Sequence, residues 1–264
     1  MNGLEAGLHP ALGLAFLLGL RHGLDPDHVT VIDAFVFRAA QVRPRLAAWV
    51  GGLFALGHGV SVAVVAVAAA LLALRFSWPS WTGPTVDWLV IALLVAVGLS
   101  NLAALGAAGE YRPVGWRSRL LPARVRETVR PGAVFAVGLV FGLAFETATQ
   151  AAAWGAAASG AGGLGGALAI AAAFTAGMVL TDTADSLVMT RLLGSGGDPA
   201  RIGRYRRGVG AAIVALAFGM AGYALAGKVA TPSEAELSAM LLAGGIIAAA
   251  AAARLALIGR AKRG

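Results

Sequence analysis

Long apolar runs alternate with short polar connections along the whole chain. A helix rises about 1.5 Å per residue, so some 20 apolar residues cross a hydrocarbon core of about 30 Å. Seven runs meet that length, at roughly 9–37, 46–75, 86–108, 131–157, 164–192, 208–228 and 235–258. The pattern predicts an all-α, polytopic membrane protein of about seven transmembrane helices. The first run holds Pro26, which lacks a backbone donor, so this helix is expected to break near that residue.

Polar residues inside the runs fall in four places: His22 to Asp33, His58, Glu146 to Gln150, and Asp182 to Asp185. His22 and His58 are 36 residues apart, as are Glu146 and Asp182, and the two halves are offset by 124. Three spans separate equivalent positions, and an odd number inverts the second copy. The spacing predicts one transmembrane domain over residues 1–264, built as an inverted 3+3 pseudo-repeat (about 9–108 and 131–228) with an extra helix at about 235–258.

Composition agrees with a lipid environment. Hydrophobic residues make up 58% and charged residues 13%. Such a chain cannot cover itself with polar surface, and 264 residues leave no room for a sizeable soluble domain. There is no cysteine, which removes disulfides and thiolate metal sites. No cleavable signal peptide is expected, since no basic segment precedes the first run.

The net charge of +8 does not point to nucleic acid. Eighteen of the 21 basic residues lie in the first, third and fifth connections and the C-terminal tail. That distribution follows the positive-inside rule: these segments are cytoplasmic and the N-terminus lies outside a cytoplasmic membrane. Trp78, Trp81 and Trp88, around the second connection, suit the outer interface.

Ionisable groups at membrane depth are costly, so each marks a candidate functional site. Arg21-His22-Gly23-Leu24-Asp25-Pro26-Asp27-His28 is the densest such stretch. On a straight helix His22, Asp27 and His28 cannot share a face; a break at Gly23 to Pro26 allows them to converge. Imidazole with carboxylate is a ligand set for divalent transition metals. His22, Asp27, His28 and His58 are therefore candidate ligands, His58 either as a third imidazole or as support. Capping by the Asp residues and packing of the histidines are the structural alternatives. Asp25, Asp33, Glu146, Gln150, Asp182, Asp185 and Arg21 are candidates for the ion's path or for supporting the ligands. Asp33 also has Arg38 or Arg21 as possible partners, and Glu146 has Arg21. Met178, Asp182, Asp185 and Met189 follow helical spacing and form one stripe.

These motifs together resemble the nickel/cobalt transporter family of secondary permeases. Arg21-His22-x4-Asp27-His28 looks like its signature. Leu56-Gly57-His58, Phe145 to Gln150, and Gly177-Met178-x3-Asp182-Thr183-x-Asp185 are similar to its later motifs, in the same order. The chain departs where that family usually has Asn after the acid Asp33 (here Ala34), Gly before Phe145 (here Ala144), Asp at Glu146 and Glu at Gln150. The best-known importers also carry a further span before the His/Asp motif. The resemblance implies a Ni²⁺ permease, with Co²⁺ a second substrate, no cofactor, His22, Asp27 and His28 essential for recognition, and delivery to cytoplasmic nickel or cobalt enzyme maturation.

The expected activity is import of Ni²⁺ or Co²⁺, with efflux by the same site as the alternative. Binding requires neutral imidazole, so uptake should fail at acid pH; a flat profile from about pH 5 to 7.5 would contradict this. A membrane-bound His/Asp acyltransferase is the alternative of another class, since His22-x4-Asp27 matches that dyad's spacing. Such enzymes carry substantial domains at the membrane face, and this chain has no length for one, so it is not expected to be an enzyme. No phosphate-binding Gly-x4-Gly-Lys-[Ser/Thr] motif occurs.

Overall fold

A computed structural model describes residues 12–13, 15–16, 18–73, 81–107, 111, 129–143 and 163–229. These residues are almost all helical, in line with the all-α expectation, and no strand occurs among them. The helices are α1 (through residue 23), α2 (Pro26–Val42), α3 (Pro44–Ala47), α4 (Val50–Ala73), α5 (Thr82–Gly106), α6 (Pro131–Gly142), α7 (Gly163–Gly194) and α8 (Pro199–Val229). Among the described residues Val50–Leu72, Trp88–Gly106 and Gly163–Gly194 are long and apolar enough to cross a membrane, and Pro131–Gly142 is a shorter apolar helix. The proposed span at 235–258 lies outside the described residues, as do Glu146 and Gln150.

Proline opens α2, α3 and α6. The first helical position needs no backbone donor, and the fixed φ of proline suits it. The expected break of the first span is present: α1 ends at residue 23, Leu24 and Asp25 turn, and α2 starts at Pro26. A broken helix leaves backbone carbonyls without partners at lipid depth, where each is costly. Here the Leu24 amide donates to the Arg21 carbonyl (3.0 Å) and the Asp25 amide to that of His22 (2.9 Å). The Thr181 hydroxyl donates to the Leu20 carbonyl from α7 (3.0 Å).

The chain divides into two compact units. The first takes residues 1–82 and 116–196, the second residues 83–115 and 197–264. In the first unit α4 packs against α6 and α7, and α2 against α7. One buried cluster of this unit is largely alanine, with Phe174 and Met178 as its bulky members. Small residues suit a setting in which lipid is as apolar as the protein interior, since close backbone approach then supplies the packing energy. Gly19 faces the Phe174 carbonyl and Gly177 the Phe16 carbonyl, so α1 and α7 cross on a glycine from each. Gly57 faces the Phe135 carbonyl and Gly138 the Phe54 carbonyl, so α4 and α6 cross the same way. A Cβ at any of the four would overlap backbone. Outward, Leu56, Val60 and Val64 form an exposed apolar stripe on α4, while His58 and Ser61 are buried. Apolar outside and polar inside is the polarity of a membrane helix.

In the second unit Leu105, Tyr111 and Val214 form a buried cluster with Phe218 against it. The Tyr111 hydroxyl donates to Oδ1 of Asn101 (2.8 Å). Gly210 leaves room for the phenol, which an added Cβ would overlap. Burial pushes the Tyr111 phenol well above its usual range, which keeps it a donor at all physiological pH.

Candidate metal centre

The break between α1 and α2 and the middle of α4 together present three imidazoles. His22 sits in the last turn of α1, His28 in the first turn of α2, and His58 on α4; all three are buried. Their ring centroids are 4.8–5.0 Å apart, and one ring nitrogen from each lies within 4.8 Å of the others. Nε2 of His22 and Nε2 of His58 are 3.3 Å apart. Two cis nitrogens on an ion with bonds of about 2.1 Å need roughly 3 Å between them, so this pair is already spaced for shared ligation.

The glycines beside His58 explain how it gets there. Gly57 lets α4 close on α6, and Gly59 lets it close on Thr175 of α7. Phe54, one turn before His58, stacks edge-on against His28 (4.9 Å) and against Phe141 (5.5 Å). Phe174 of α7 lies 5.3 Å from His22. Two aromatic walls therefore hold the imidazoles and exclude water from one side.

Carboxylates stand behind two of the rings. Nδ1 of His28 donates to Oδ2 of Asp182 at 3.1 Å, both side chains fully buried. Nδ1 of His22 lies 2.9 Å from Oδ2 of Asp25, whose Oδ1 lies 3.2 Å from the Arg21 guanidinium. A proton on Nδ1 of His28 leaves its Nε2 as the lone-pair nitrogen, the arrangement by which carboxylates orient and strengthen imidazole ligands. At His22 the Asp25 carboxylate lies close to Nδ1 without a hydrogen bond to it. Asp25 occupies the N-cap position of α2 but makes no side-chain capping bond. Its carboxylate is turned to Arg21 and His22 instead of to backbone amides.

The other sequence candidates are placed as follows. Asp27 is buried in the first turn of α2, outside the three-histidine group. Asp33 is buried two turns further along α2. Met178, Asp182, Asp185 and Met189 are all buried, so the stripe predicted on α7 faces inward along its length. Sequence reasoning passed over Phe54, Phe174 and Thr181. The signal for Phe54 was there: it precedes His58 by four residues and shares its face.

The family model for high-affinity nickel-transport proteins matches residues 9–106 and 103–259, almost the full chain. The chain belongs to that family. It is 31% identical over 207 residues to the hydrogenase nickel incorporation protein HupN of Bradyrhizobium diazoefficiens, covering 67% of this chain and 53% of the relative. It is 34% identical over 207 residues to the cobalt transport protein NhlF of Rhodococcus rhodochrous (67% and 58%). It is 32% identical over 203 residues to a high-affinity nickel transport protein of Cupriavidus necator (67% and 58%). The chain thus spans between 53% and 58% of the length of these curated relatives. No solved structure matches it significantly. The family is one of nickel/cobalt transport rather than of enzymes, and the long apolar helices make the chain a membrane protein.

Proposed function

We propose that this chain imports Ni²⁺, with Co²⁺ as a second substrate, across the cytoplasmic membrane through the site formed by His22, His28 and His58. The observation that carries this reading is the convergence of three buried imidazoles at a helix break, two of them backed by carboxylates. Neutral nitrogen donors suit nickel and cobalt, and carboxylates held behind them supply negative charge without occupying coordination positions.

In this mechanism the ion exchanges water for the three ring nitrogens. Asp25 and Asp182 hold the rings, and Asp27 adds compensating charge nearby. Asp182, Asp185 and Asp33 then lie along the buried faces of α7 and α2 toward the inner side. A potential negative inside favours entry by about 2.3 kcal/mol per charge per 100 mV, hence about twice that for a divalent ion. The basic odd-numbered connections support a cytoplasmic C-terminus and an outer N-terminus. The chain acts as one transporter domain of two inverted repeats. In support, Gly138 follows Gly19 by 119 residues and Gly177 follows Gly57 by 120, so such a repeat would exchange the two glycine crossings, α1 with α7 and α4 with α6. The hydrogenase nickel incorporation role that names the Bradyrhizobium relative supports delivery to nickel enzymes in the cytoplasm.

The test is uptake of radioactive Ni²⁺ by cells expressing the chain, beside His28→Ala and with excess Co²⁺, Zn²⁺ or Mn²⁺. Uptake that vanishes in the variant and yields mainly to Co²⁺ is the expected result. Accumulation at or below that of empty cells, from well-expressed protein, would overturn import and favour efflux.

A further inference from the structure

A site for a cation that buries a guanidinium beside itself raises a question of charge. Arg21 is 8% exposed, and its Nη2 lies 3.2 Å from Oδ1 of Asp25. Oδ2 of the same carboxylate is 2.9 Å from Nδ1 of His22. Nε2 of that ring is the atom 3.3 Å from His58. A permanent positive charge thus stands one carboxylate and one imidazole behind a candidate ligand atom. Arginine stays charged at all physiological pH, repels a divalent ion, and is costly at membrane depth. It is also unequally placed. Asp182, behind His28, has no Arg or Lys in ion-pair contact among the described residues.

Helix ends do not account for it. Asp25 sits at the N-cap of α2 without capping it, so the carboxylate serves Arg21 and His22. Removing one member of a buried ion pair leaves the other uncompensated, which is far costlier than lacking the pair altogether. A secondary carrier has two tasks that differ in charge. Loaded, it changes facing with an ion whose charge is set against the nearby acids. Unloaded, it must change facing with those acids still buried.

Resting on the reading of the chain as a metal carrier, we propose that Arg21 is a built-in substitute for the transported ion. It neutralises Asp25 while the three-histidine site is empty and so permits the unloaded protein to return. With the ion bound, Asp25 answers to the metal through His22, and Arg21 is dispensable. Net delivery requires the empty return; exchange of one ion for another passes only through loaded forms.

The experiment uses the full chain in liposomes with radioactive Ni²⁺ as probe. Net uptake into Ni²⁺-free vesicles is compared with exchange into vesicles preloaded with unlabelled Ni²⁺. Arg21→Gln is expected to lower net uptake by at least about tenfold while exchange stays within about threefold of the unaltered chain. Arg21→Lys, which keeps the charge, restores most of the net uptake. Equal losses in both modes from dispersed protein overturn the proposal, as does undiminished net uptake in Arg21→Gln. The double variant Arg21→Gln with Asp25→Asn removes both charges and keeps the size of the side chain beside His22. Its ratio of net uptake to exchange, read at saturating Ni²⁺ because Asp25 also supports His22, decides the matter should Arg21→Gln alone aggregate. An unchanged ratio of net uptake to exchange supports the proposal; a lowered ratio, or no transport in either mode, overturns it. If the unaltered chain moves Ni²⁺ in neither mode, the transport reading itself fails, which is a separate result.

Discussion

Each imidazole of the candidate centre is defined by what lies behind it as much as by what it faces. His28 is the clearest case, because its only freedom is rotation about its side-chain bonds, and the Asp182 carboxylate at 3.1 Å and the Phe54 ring hold that rotation. Asp182→Asn keeps an acceptor for Nδ1–H but removes the charge that strengthens the imidazole. We expect it to weaken Ni²⁺ affinity by roughly 10- to 100-fold. The measurement is concentration-dependent uptake: a raised KM with a largely retained maximal rate is the expected result. A KM equal to that of the unaltered chain would show that Asp182 does not support His28 in function. Oδ1 of Asp182 has no hydrogen-bond partner among the described residues. A Cβ added to Gly23 would come within 2.7 Å of it, so glycine at the break also makes room for this carboxylate.

The element that creates the site is the interruption between α1 and α2. Proline marked it in the sequence, yet Pro26 occupies the first helical position, where its missing donor costs nothing. The turn is held by backbone bonds through Leu24 and Asp25 and by Thr181 reaching across from α7. Proline shares the break with these bonds rather than causing it alone, its ring keeping Asp25 extended (ψ 139°). Pro26→Ala should therefore keep Ni²⁺ uptake within about threefold, since alanine is equally acceptable at that position. Thr181→Val leaves the Leu20 carbonyl without that donor and should lower stability by about 1 kcal/mol, read as a lower melting temperature in detergent. If Pro26→Ala abolished uptake and Thr181→Val left stability untouched, the break would owe its shape to proline after all. On the proposed repeat the packing glycines would pair at 119 and 120 residues, whereas the polar residues pair at 124. Helix crossings need close backbone approach at fixed places, while polar side chains reach a site from more than one turn.

At the scale of the molecule, the proposed orientation rests on the charged connections, and it is directly testable because the chain has no cysteine of its own. Gln41 and Trp81 are both exposed and lie in the first and second connections. With a membrane-impermeant maleimide on cells whose cytoplasmic membrane is accessible, Trp81→Cys should react at once and Gln41→Cys only after permeabilisation. The reverse pattern would invert the topology and with it the direction assigned to the inward path. The α7 helix has 32 residues, so it is about 48 Å long and exceeds a hydrocarbon core of about 30 Å. Its surplus length must be taken up by tilt or by extension beyond the lipid.

Apolar run length was enough to read α4, α5 and α7 as spans, because crossing lipid demands length and hydrophobicity whatever the neighbours are. Helical period was enough to place Met178, Asp182, Asp185 and Met189 on one buried face, because that geometry is local to a helix. The cost of ionisable groups at membrane depth singled out His22, His28 and His58 as residues needing a purpose. It could not say that Asp182 would meet His28, 154 positions away, or that Asp25 would turn from its helix end to Arg21 and His22. Those partnerships depend on which helices cross and how closely. The crossings are set by glycines meeting carbonyls on other helices, and a helix's own periodicity carries no record of its neighbour's face.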